Sequence, residues 1–326
     1  MRAVVQHRYG PPDQVLSVAE VPTPTPGPGE VVVAVEAASV NAADWHLVAA
    51  DPVFVRLSGY GVFRPRRAVP GSDLAGVVAA VGPDTTRHTV GDRVFGWARG
   101  TFAEYAVTAE AHLATIPDGV PTAVAASVPL AGTTALQGLR DHGRTAPGDR
   151  VLVVGAGGGV GQFAVQVAVA LGAEVTAVVS TRNLAMAQGL GAAHVVDHTT
   201  TSLADLDGPF DVVLAVNGNH RLADVIGAMA PDGRYVIIGA DRGGRLFGPL
   251  AHMLRQMARG RRASQTVAQF TAGMTPDDLG VLAGFLGDGR LTAVVDHTVG
   301  LDGAPGAVAH LMAGHARAKV VVEPGR

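Results

Sequence analysis

The sequence contains no cysteine. Without thiols the chain can form no disulfide, no thiolate nucleophile, and neither a cysteine-held zinc site nor an iron–sulfur cluster. Lysine is nearly as scarce, because Lys319 is the only lysine among 326 residues. Any reaction that this chain catalyses therefore proceeds without a sulfur nucleophile.

An excess of either charge is also lacking. The formal net charge is −3, which disfavours nucleic acid and anionic membranes as partners and favours a small molecule. The first residues, MRAVVQHRYG, lack the apolar core and cleavage site of a signal peptide, so we expect a cytoplasmic protein. Uncharged stretches at 120–139 and 151–173 are interrupted by Gly, Thr, Gln or Pro, and we interpret both as buried core rather than membrane spans.

The spacing of apolar residues changes along the chain. From 1 to about 119, short alternating strands such as RAVVQ and EVVVAVEAASV predict a β-rich lobe. From 120 to 260, continuous apolar strands alternate with helical stretches, which predicts a parallel sheet covered on both faces. Within 249–262, apolar and basic residues separate on a helix, which indicates either a lid that steers anions or an ordinary core stripe with a solvated face.

A glycine-rich loop follows the strand that begins at residue 151. In the stretch VLVVGAGGGVG, a run of branched apolar residues is followed by glycines, and a helical pattern comes after them. In a dinucleotide fingerprint, Gly158 lets the backbone approach a pyrophosphate, Gly161 permits close helix packing, and the helix start supplies N–H donors. We therefore predict a pyrophosphate-binding loop rather than a tight turn without a ligand. Its residues are Ala156, Gly157, Gly158, Gly159, Val160 and Gly161.

The end of the next strand predicts which dinucleotide binds. NAD sites place an Asp or Glu roughly 20 residues beyond the loop, where it accepts a hydrogen bond from the ribose 2′-OH. Here the strand ends in Ser180, Thr181 and Arg182. Two hydroxyls and a planar cation suit a 2′-phosphate. The sequence therefore predicts NADPH, the alternative being that Arg182 is a solvated residue at a helix start.

Later strand ends supply further candidates for the cofactor site. His198 closes the third strand and is predicted to lie against the adenine ribose, the alternative being a histidine in a surface loop. Asn217, Gly239 and Ala240 end the next two strands. They are expected on the carboxyl edge of the sheet, along which the nicotinamide end runs.

At this point the chain resembles the medium-chain dehydrogenase/reductase superfamily over essentially its full length. The matching stretches are GPGEVVVAVEAASVNAADW, VPGSDLAGVVAAVG, VGDRVFG, FAEYAV, AGGGVG, LGAAHVVD and GHARAKVVV. The resemblance implies an α/β fold: a GroES-like β-rich catalytic domain (1–119), an inserted Rossmann-fold parallel-sheet domain for NADPH (120–260) and a C-terminal return to the catalytic domain (261–326). It also implies a homodimer through the last Rossmann edge strand, around RYVIIGA.

The zinc ligands of the superfamily's alcohol dehydrogenases are not found at the matching places. Those places read Ala42-Ala43-Asp44, Ser72-Asp73 and the region around Leu130-Ala131-Gly132. These groups bind zinc poorly, and no pair of histidines has metal spacing. We therefore expect no metal, and without a Lewis acid the oxidation of an alcohol loses its main electrostatic support.

The sequence looks like the zinc-independent quinone oxidoreductase and enoyl reductase branch. The resemblance implies an NADPH-dependent enzyme that transfers hydride to a conjugated carbonyl or a quinone, including a role in biosynthesis or reductive cyclisation. Two alternatives stay open: a metal-free carbonyl reductase or alcohol dehydrogenase, and a non-catalytic NADPH-binding protein.

Three candidate residues come from this resemblance. Asn41 matches a position that faces nicotinamide and substrate, where its amide would donate to a carbonyl oxygen; the alternative is an Asn that forms a turn. Thr133 matches a hydroxyl near the nicotinamide ribose, the alternative being a helix cap. Lys319 lies in the tail that returns toward the cofactor, the alternative being a solvated strand end.

Further candidates follow from side-chain chemistry. Asp44 and His46 are candidate proton donors, with Trp45 as an aromatic wall; alternatively Trp45 belongs to the core and His46 pairs with Asp44. Tyr60 is a candidate proton donor in 47–69, a segment that resembles an insertion over the cleft. The residues predicted to complete an apolar pocket are Phe54, Phe63 and Trp97.

Overall fold

The computed structural model describes residues 1–57, 60–66, 68–216, 222–238, 265–314 and 316–326. Of Phe54, Leu57 and Leu222 it describes the backbone only. Contacts divide the chain into two compact units, of which the first contains Met1–Thr133 with Met274–Arg326 and the second contains Thr134–Gly273. The domain limits expected from the sequence fall at 119 and 260, where the apolar spacing changes.

The predicted α/β fold is confirmed, and its strands come in both alternating and continuous apolar runs. The strands are β1 (Arg2–Gln6), β2 (Leu16–Glu20), β3 (Glu30–Val40), β4 (Asp73–Val81), β5 (Arg93–Trp97), β6 (Tyr105–Ala109), β7 (Leu113–Thr115), β8 (Arg150–Val154), β9 (Glu174–Val179), β10 (His194–Asp197), β11 (Phe210–Ala215), β12 (Met229–Ile237), β13 (Thr266–Gln269), β14 (Val295–Val299) and β15 (Lys319–Val322).

The helices of the described residues are mostly short. They are α1 (Pro12–Val15), α2 (Ala42–Ala49), α3 (Thr122–Ala126), α4 (Pro129–Gln137), α5 (Gly159–Ala170), α6 (Leu184–Gly189), α7 (Leu222–Gly227), α8 (Pro276–Gly287) and α9 (Ala304–Met312). Among them, none has the length and apolar character needed to cross a membrane. The amphipathic segment 249–262 lies outside the described residues.

The first unit is the β-rich lobe. Its main sheet has the order β14-β15-β3-β4-β5-β7, with β6 on β3, while β1 and β2 form a separate antiparallel pair. Within the main sheet only β14 and β15 pair in parallel. The long strand β3 is buried along most of its length and packs into one apolar core with residues of β4, β15 and α9. The sheet thus joins residues from both ends of the chain.

The second unit contains a parallel sheet of six strands in the order β10-β9-β8-β11-β12-β13. This is the doubly wound order, in which the direction of winding reverses between β8 and β11. Helix α5 follows β8, and eight of its residues are buried. Ligands of such sheets bind outside the carboxyl ends of the strands at the reversal, which is where the glycine loop after β8 lies.

One expectation about this sheet is wrong. The stretch around RYVIIGA was expected to form the last strand of the sheet, but β12 pairs in parallel with β13. At this end of the sheet, the edge strand among the described residues is therefore β13. Its sequence, TVAQ, is too short to produce a clear apolar period.

Candidate active site

A buried polar network lies in the first unit, where β3 meets its two neighbours. In the antiparallel ladders, Ser39 pairs with Asp73 and Val40 pairs with Val320. The register therefore brings the end of β3 beside the starts of β4 and β15. Four side chains meet there and are almost fully buried: Asn41, Asp44, Asp73 and Lys319. We call them the Asn41–Lys319 network.

Hydrogen bonds connect the members of this network. The Lys319 Nζ donates to Asn41 Oδ1 at 2.6 Å, and Asn41 Nδ2 donates to Asp73 Oδ2 at 2.8 Å. The ammonium also lies 3.9 Å from Asp73 Oδ2. Asp73 accepts further hydrogen bonds from the Ser39 hydroxyl at 3.1 Å and the Leu130 N–H at 3.2 Å. A buried carboxylate and a buried ammonium are thus both bonded, as burial of charge requires.

Asp44 occupies the first turn of α2, three residues after Asn41, which caps the helix. Its Oδ2 accepts from the Asn41 N–H at 2.7 Å, and its Oδ1 accepts from the Ser72 hydroxyl at 3.2 Å. Burial raises the pKa of Asp44 from 3.8 to about 7, although its hydrogen bonds and Lys319 act in the opposite direction. Asp44 can therefore take up or release a proton near neutral pH, which suits a general acid or base.

Burial also shifts the pKa values of Asp73 and Lys319, and in both cases the shift favours the neutral form. It raises the pKa of Asp73, which Lys319 and three hydrogen bonds partly offset. It lowers the pKa of Lys319, against the attraction of Asp73 and Asp44. The Lys319 ammonium attracts both carboxyl groups, which partly offsets the cost of burying them.

The amide of Asn41 is fully engaged within the network. Besides Asp73, its Nδ2 reaches the Ser39 carbonyl oxygen at 3.4 Å, while its Oδ1 accepts from Lys319. Donation from this amide to a substrate carbonyl, as the sequence predicts, requires one of these bonds to open. The role of Asp73 was missed at the sequence level, where it was seen only as a poor zinc ligand; the signal was its place after Pro-Gly-Ser at a strand start.

The two residues after Asp44 do not join the network. The Trp45 ring stacks on His46, with ring centroids 3.6 Å apart, and packs against the core. The His46 Nδ1 donates to the Asp51 carbonyl oxygen, whereas the hydrogen bonds described for Asp44 come from Asn41 and Ser72. Thr133, in α4, is buried. Catalytic roles for His46 and Thr133, and a substrate-binding role for Trp45, stay predictions.

The expected apolar pocket is not assembled from the described side chains. Phe63 is 94% exposed and Tyr60 is 41% exposed. The Tyr60 carbonyl oxygen accepts from the Tyr9 hydroxyl. Trp97, on β5, stacks on His112 with ring centroids 4.7 Å apart. The side chain of Phe54 lies outside the described residues.

In the second unit, the glycine loop makes a tight turn between β8 and α5. Gly155 adopts φ +85°, which favours glycine, and the N–H groups of Gly155 and Ala156 donate to the Val178 carbonyl oxygen. The turn glycine is therefore Gly155, one residue before the expected start of the loop. A Cβ at Gly161 would clash with the Gly155 carbonyl oxygen, whereas one at Gly158 would meet only that oxygen, at 3.6 Å. The space beside Gly158 is open to a ligand.

The end of β9 forms a polar corner with the end of β10. The Thr181 hydroxyl donates to Asp197 Oδ2, and Thr199 donates to Asp197 Oδ1. These bonds hold the pKa of Asp197 below its usual value. Ser180 accepts from the amide of Asn183, whose Oδ1 is buried without a partner among the described residues. Asp197 was missed at the sequence level, although it lies in the VVDHTT stretch.

The remaining candidates fall into two groups. Arg182 and His198 lie near this corner in sequence and are exposed. Asn217, Gly239 and Ala240 lie outside the described residues. Of the residues expected at the site, Lys319 and Asn41 are brought together with Asp44 in the first unit, and the glycine loop with Ser180 and Thr181 belongs to the second.

A doubly wound sheet with this loop, next in sequence to a β-rich lobe, defines an oxidoreductase that uses a nicotinamide dinucleotide. Residues 27–118 match the alcohol dehydrogenase GroES-like domain, and residues 190–322 match the family described as zinc-binding dehydrogenase. The chain belongs to the medium-chain dehydrogenase/reductase superfamily, whose members bind a nicotinamide cofactor.

Quinone oxidoreductases are among its relatives. The chain is 31% identical over 99% of its length to the chloroplastic quinone-oxidoreductase QR1 of Triphysaria versicolor, 98% of which is covered. It is 40% identical over 64% of its length to a mycocerosic acid synthase-like polyketide synthase of Mycolicibacterium smegmatis, of which it covers 10%. The quinone oxidoreductase structure from Coxiella burnetii superposes with a TM-score of 0.84 at 26% identity, with 99% of each chain covered.

Proposed function

We propose that this oxidoreductase uses NADPH to reduce an electron-poor acceptor, a quinone or a conjugated carbonyl such as an enone or enoyl group, without zinc. The observation that carries the proposal is the Asn41–Lys319 network, which lies where the resemblance locates the zinc ligands of alcohol dehydrogenases. The quinone oxidoreductase relatives support a quinone as one acceptor.

The residues at that place do not fit a zinc ion. Ala42 and Ala43 offer no ligand atom, and Ser72 donates its hydroxyl to Asp44. Asp73 is already bonded by Asn41, Ser39 and Leu130, with the Lys319 ammonium 3.9 Å away. Zinc prefers nitrogen, sulfur or free carboxylate ligands. A second cation beside Lys319 would also meet its repulsion. We therefore propose that the reduction proceeds without zinc at this place.

The second unit fits a dinucleotide. Gly155 turns the chain, Gly158 leaves open space, and the N-terminus of α5 presents N–H groups with the positive end of its dipole. These groups would hold the pyrophosphate. Bound there, the cofactor supplies the hydride that reduces the acceptor.

The corner at the end of β9 supports NADPH over NADH. Ser180, Thr181 and Arg182 offer hydroxyls and a guanidinium to a 2′-phosphate. Asp197 acts against this preference, because its carboxylate bonds the Thr181 hydroxyl at 2.5 Å and would accept from an unphosphorylated ribose. We propose that Arg182 decides the balance.

The proton that completes the reduction is assigned to Asp44. Conjugate hydride addition leaves negative charge on the acceptor oxygen, and a proton must follow. Asp44, with its pKa raised by burial to about 7, holds such a proton at neutral pH. The Ser72 hydroxyl, which is less buried, lies 3.2 Å from Asp44. If it turned to accept the proton of Asp44, it would donate its own proton outward to the acceptor.

The first experiment measures consumption of reduced nicotinamide with a quinone, an enone, the matching saturated ketone and no acceptor. NADPH and NADH are compared, each with chelator-treated protein. We expect turnover of quinone or enone with NADPH that the chelator leaves unchanged. Turnover of the saturated ketone, or loss of activity with the chelator, would contradict the proposal, and tight NADPH binding without turnover would indicate a binding protein.

Two variants test the cofactor preference separately. Arg182→Ala should weaken NADPH at least about tenfold, a loss of about 1.4 kcal/mol, and leave NADH nearly unchanged. Asp197→Asn should weaken NADH and strengthen NADPH, because a carboxylate no longer faces the phosphate. A wild-type preference for NADH would identify Asp197 as the acceptor for the ribose hydroxyls and overturn the assignment of Arg182.

A further inference from the structure

A second cluster of polar side chains lies in the first unit, next to the β14–β15 pairing of Val295 with Lys319, and shares no member with the Asn41–Lys319 network. Asp296 and His297 belong to β14, and His310 belongs to the last turn of α9. The His297 Nδ1 lies 3.3 Å from Asp296 Oδ2, and the His310 Nε2 lies 3.8 Å from the same oxygen. All three potential ligand atoms lie within 4.8 Å of one another.

Regular strand geometry would not assemble this cluster. Consecutive side chains of a strand point to opposite faces, so Asp296 and His297 should diverge. The pairing of β14 with β15, however, shifts register between Val295 and His297. A bulge of this kind turns one side chain toward its neighbour's face. The irregularity therefore directs two adjacent polar side chains to the position that His310 reaches from α9.

The cluster has the chemistry of a transition-metal site. Two imidazole nitrogens and one carboxylate oxygen suit divalent first-row ions such as Zn²⁺. Ligand atoms on a tetrahedral zinc lie about 3.4 Å apart, given bonds near 2.1 Å, and two of the distances here are 3.3 Å and 3.8 Å. The negative end of the α9 dipole favours a cation beside His310.

The side chains of the cluster are partly exposed, whereas the His310 Nε2 itself is shielded from solvent. The side chains of Asp296, His297 and His310 are 27%, 39% and 36% exposed. Asp296 also accepts, weakly, from the Arg317 backbone N–H at 3.5 Å, and its carboxylate retains lone pairs for an ion. The two imidazoles contact each other edge to face, with ring centroids 5.3 Å apart, and each places one nitrogen beside the same Asp296 oxygen.

We propose that Asp296, His297 and His310 bind one divalent transition-metal ion, with water completing its coordination. This place is separate from Ala42–Asp44, Ser72–Asp73 and Leu130, to which the resemblance points for zinc. It does not depend on the proposed reductase activity. Three protein ligands hold an ion at the surface of the first unit, where it ties β14 to α9.

Calorimetric titration of the chelator-treated protein with Zn²⁺, near neutral pH, tests the site. We expect one saturable site per chain. His310→Asn should weaken it at least tenfold and leave NADPH oxidation unchanged. The matched control is His194→Asn, since His194 and Glu174 form an exposed pair 3.2 Å apart with no third ligand near them in the described residues. That variant should retain full Zn²⁺ affinity.

Co²⁺ gives a second readout, because its visible absorption reports coordination by imidazole. The spectrum of Co²⁺ bound to wild type should disappear in His310→Asn and in Asp296→Asn, while both variants keep the wild-type melting temperature without metal. The proposal is wrong if no saturable site exists, or if the cluster variants and the His194 variant bind Zn²⁺ equally well.

Discussion

A single carboxyl group, that of Asp44, couples folding of the first unit to pH. Burial raises its pKa from 3.8 to about 7, so the folded chain binds this proton more tightly than the unfolded chain. Its contribution to stability is complete below about pH 4 and is lost as pH rises through about 7, an effect of about 4 kcal/mol. The side chain of the Asp44→Asn variant does not titrate. We therefore expect the free energy of unfolding of this variant, relative to that of wild type, to increase as the pH rises over that range.

Urea unfolding at several pH values measures this difference. Asp302→Asn is the control, because Asp302 is an exposed acid paired with Arg2 in the same unit. Its curve should stay parallel to that of wild type. If the Asp44 variant also runs parallel, Asp44 ionises in the folded protein as it does in the unfolded chain, and its role as proton source fails with it.

We predict that the fold requires the charge of Lys319, the only lysine of the chain. Lys319→Met keeps most of the length of the side chain but removes the cation that Asp73 and Asp44 face among the described residues. Removal of one partner from a buried ion pair costs about 3 to 5 kcal/mol, and we expect a loss of this size at neutral pH. The loss should shrink in acid, where the carboxyls become neutral. Chemical unfolding at both pH values measures it.

The comparison for Lys319 is an exposed ion pair of the same unit. Arg2 contacts Asp302 at 2.8 Å, with both side chains largely solvated. Arg2→Met should cost less than about 1 kcal/mol. Equal costs for the two variants would mean that Lys319 contributes packing alone and that its charge does not stabilise the network.

At the scale of elements, the loop between β8 and α5 contains one glycine that we expect to matter for cofactor binding and another that we expect to matter for stability. Gly158 has φ −92° and open space at its Cβ position, so Gly158→Ala should change the free energy of unfolding by less than about 0.5 kcal/mol. Its methyl group would occupy the space for the pyrophosphate. We expect the dissociation constant for NADPH to rise at least about tenfold.

Gly161→Ala is the opposite case in the same loop. Its Cβ would clash with the Gly155 carbonyl oxygen and lie 2.6 Å from Ala156 Cα, so α5 would have to move away from the loop. Crowding of this kind costs about 1 to 3 kcal/mol. Thermal unfolding and NADPH titration of both variants distinguish the two effects. If both variants are as stable as wild type and bind NADPH with unchanged affinity, the loop does not belong to the cofactor site.

Across the elements, periodicity predicted the regular parts of the fold and failed where an element is short or irregular. The apolar runs VLVVGA and EVTAVVS correspond to β8 and β9, because strands covered on both faces need continuous apolar residues. The strand β13 has only four residues, which is too few for a period. The bulge at Asp296 could not be predicted from the apolar pattern either, because a bulge changes the direction of a side chain and not the composition of the strand.

For the whole molecule, the site was only partly predictable because its contacts join distant residues. Asn41, Asp44 and Lys319 were singled out individually, the last as a contact of the cofactor. The hydrogen bond from Lys319 to Asn41 crosses 278 positions of sequence, and the network depends on the register of β3 with β4 and β15. Local sequence contains no information on that register. The glycine loop, in contrast, was predictable because strand, turn and helix are consecutive.

The return of the chain to its first unit makes that unit depend on the last residues. Strand β15 lies between β14 and β3, and Val320, Val321 and Val322 are fully or almost fully buried. At about 1.5 to 3 kcal/mol for each buried valine, their loss costs about 5 to 9 kcal/mol. That amount is comparable with the total stability of a domain.

Removal of residues 315–326 should therefore unfold the first unit, whereas removal of Gly325 and Arg326 should not. Both tryptophans of the chain, Trp45 and Trp97, belong to that unit, so fluorescence reports its unfolding directly. Native fluorescence in the longer truncation would show that β3 and β4 form the lobe without the C-terminal strand.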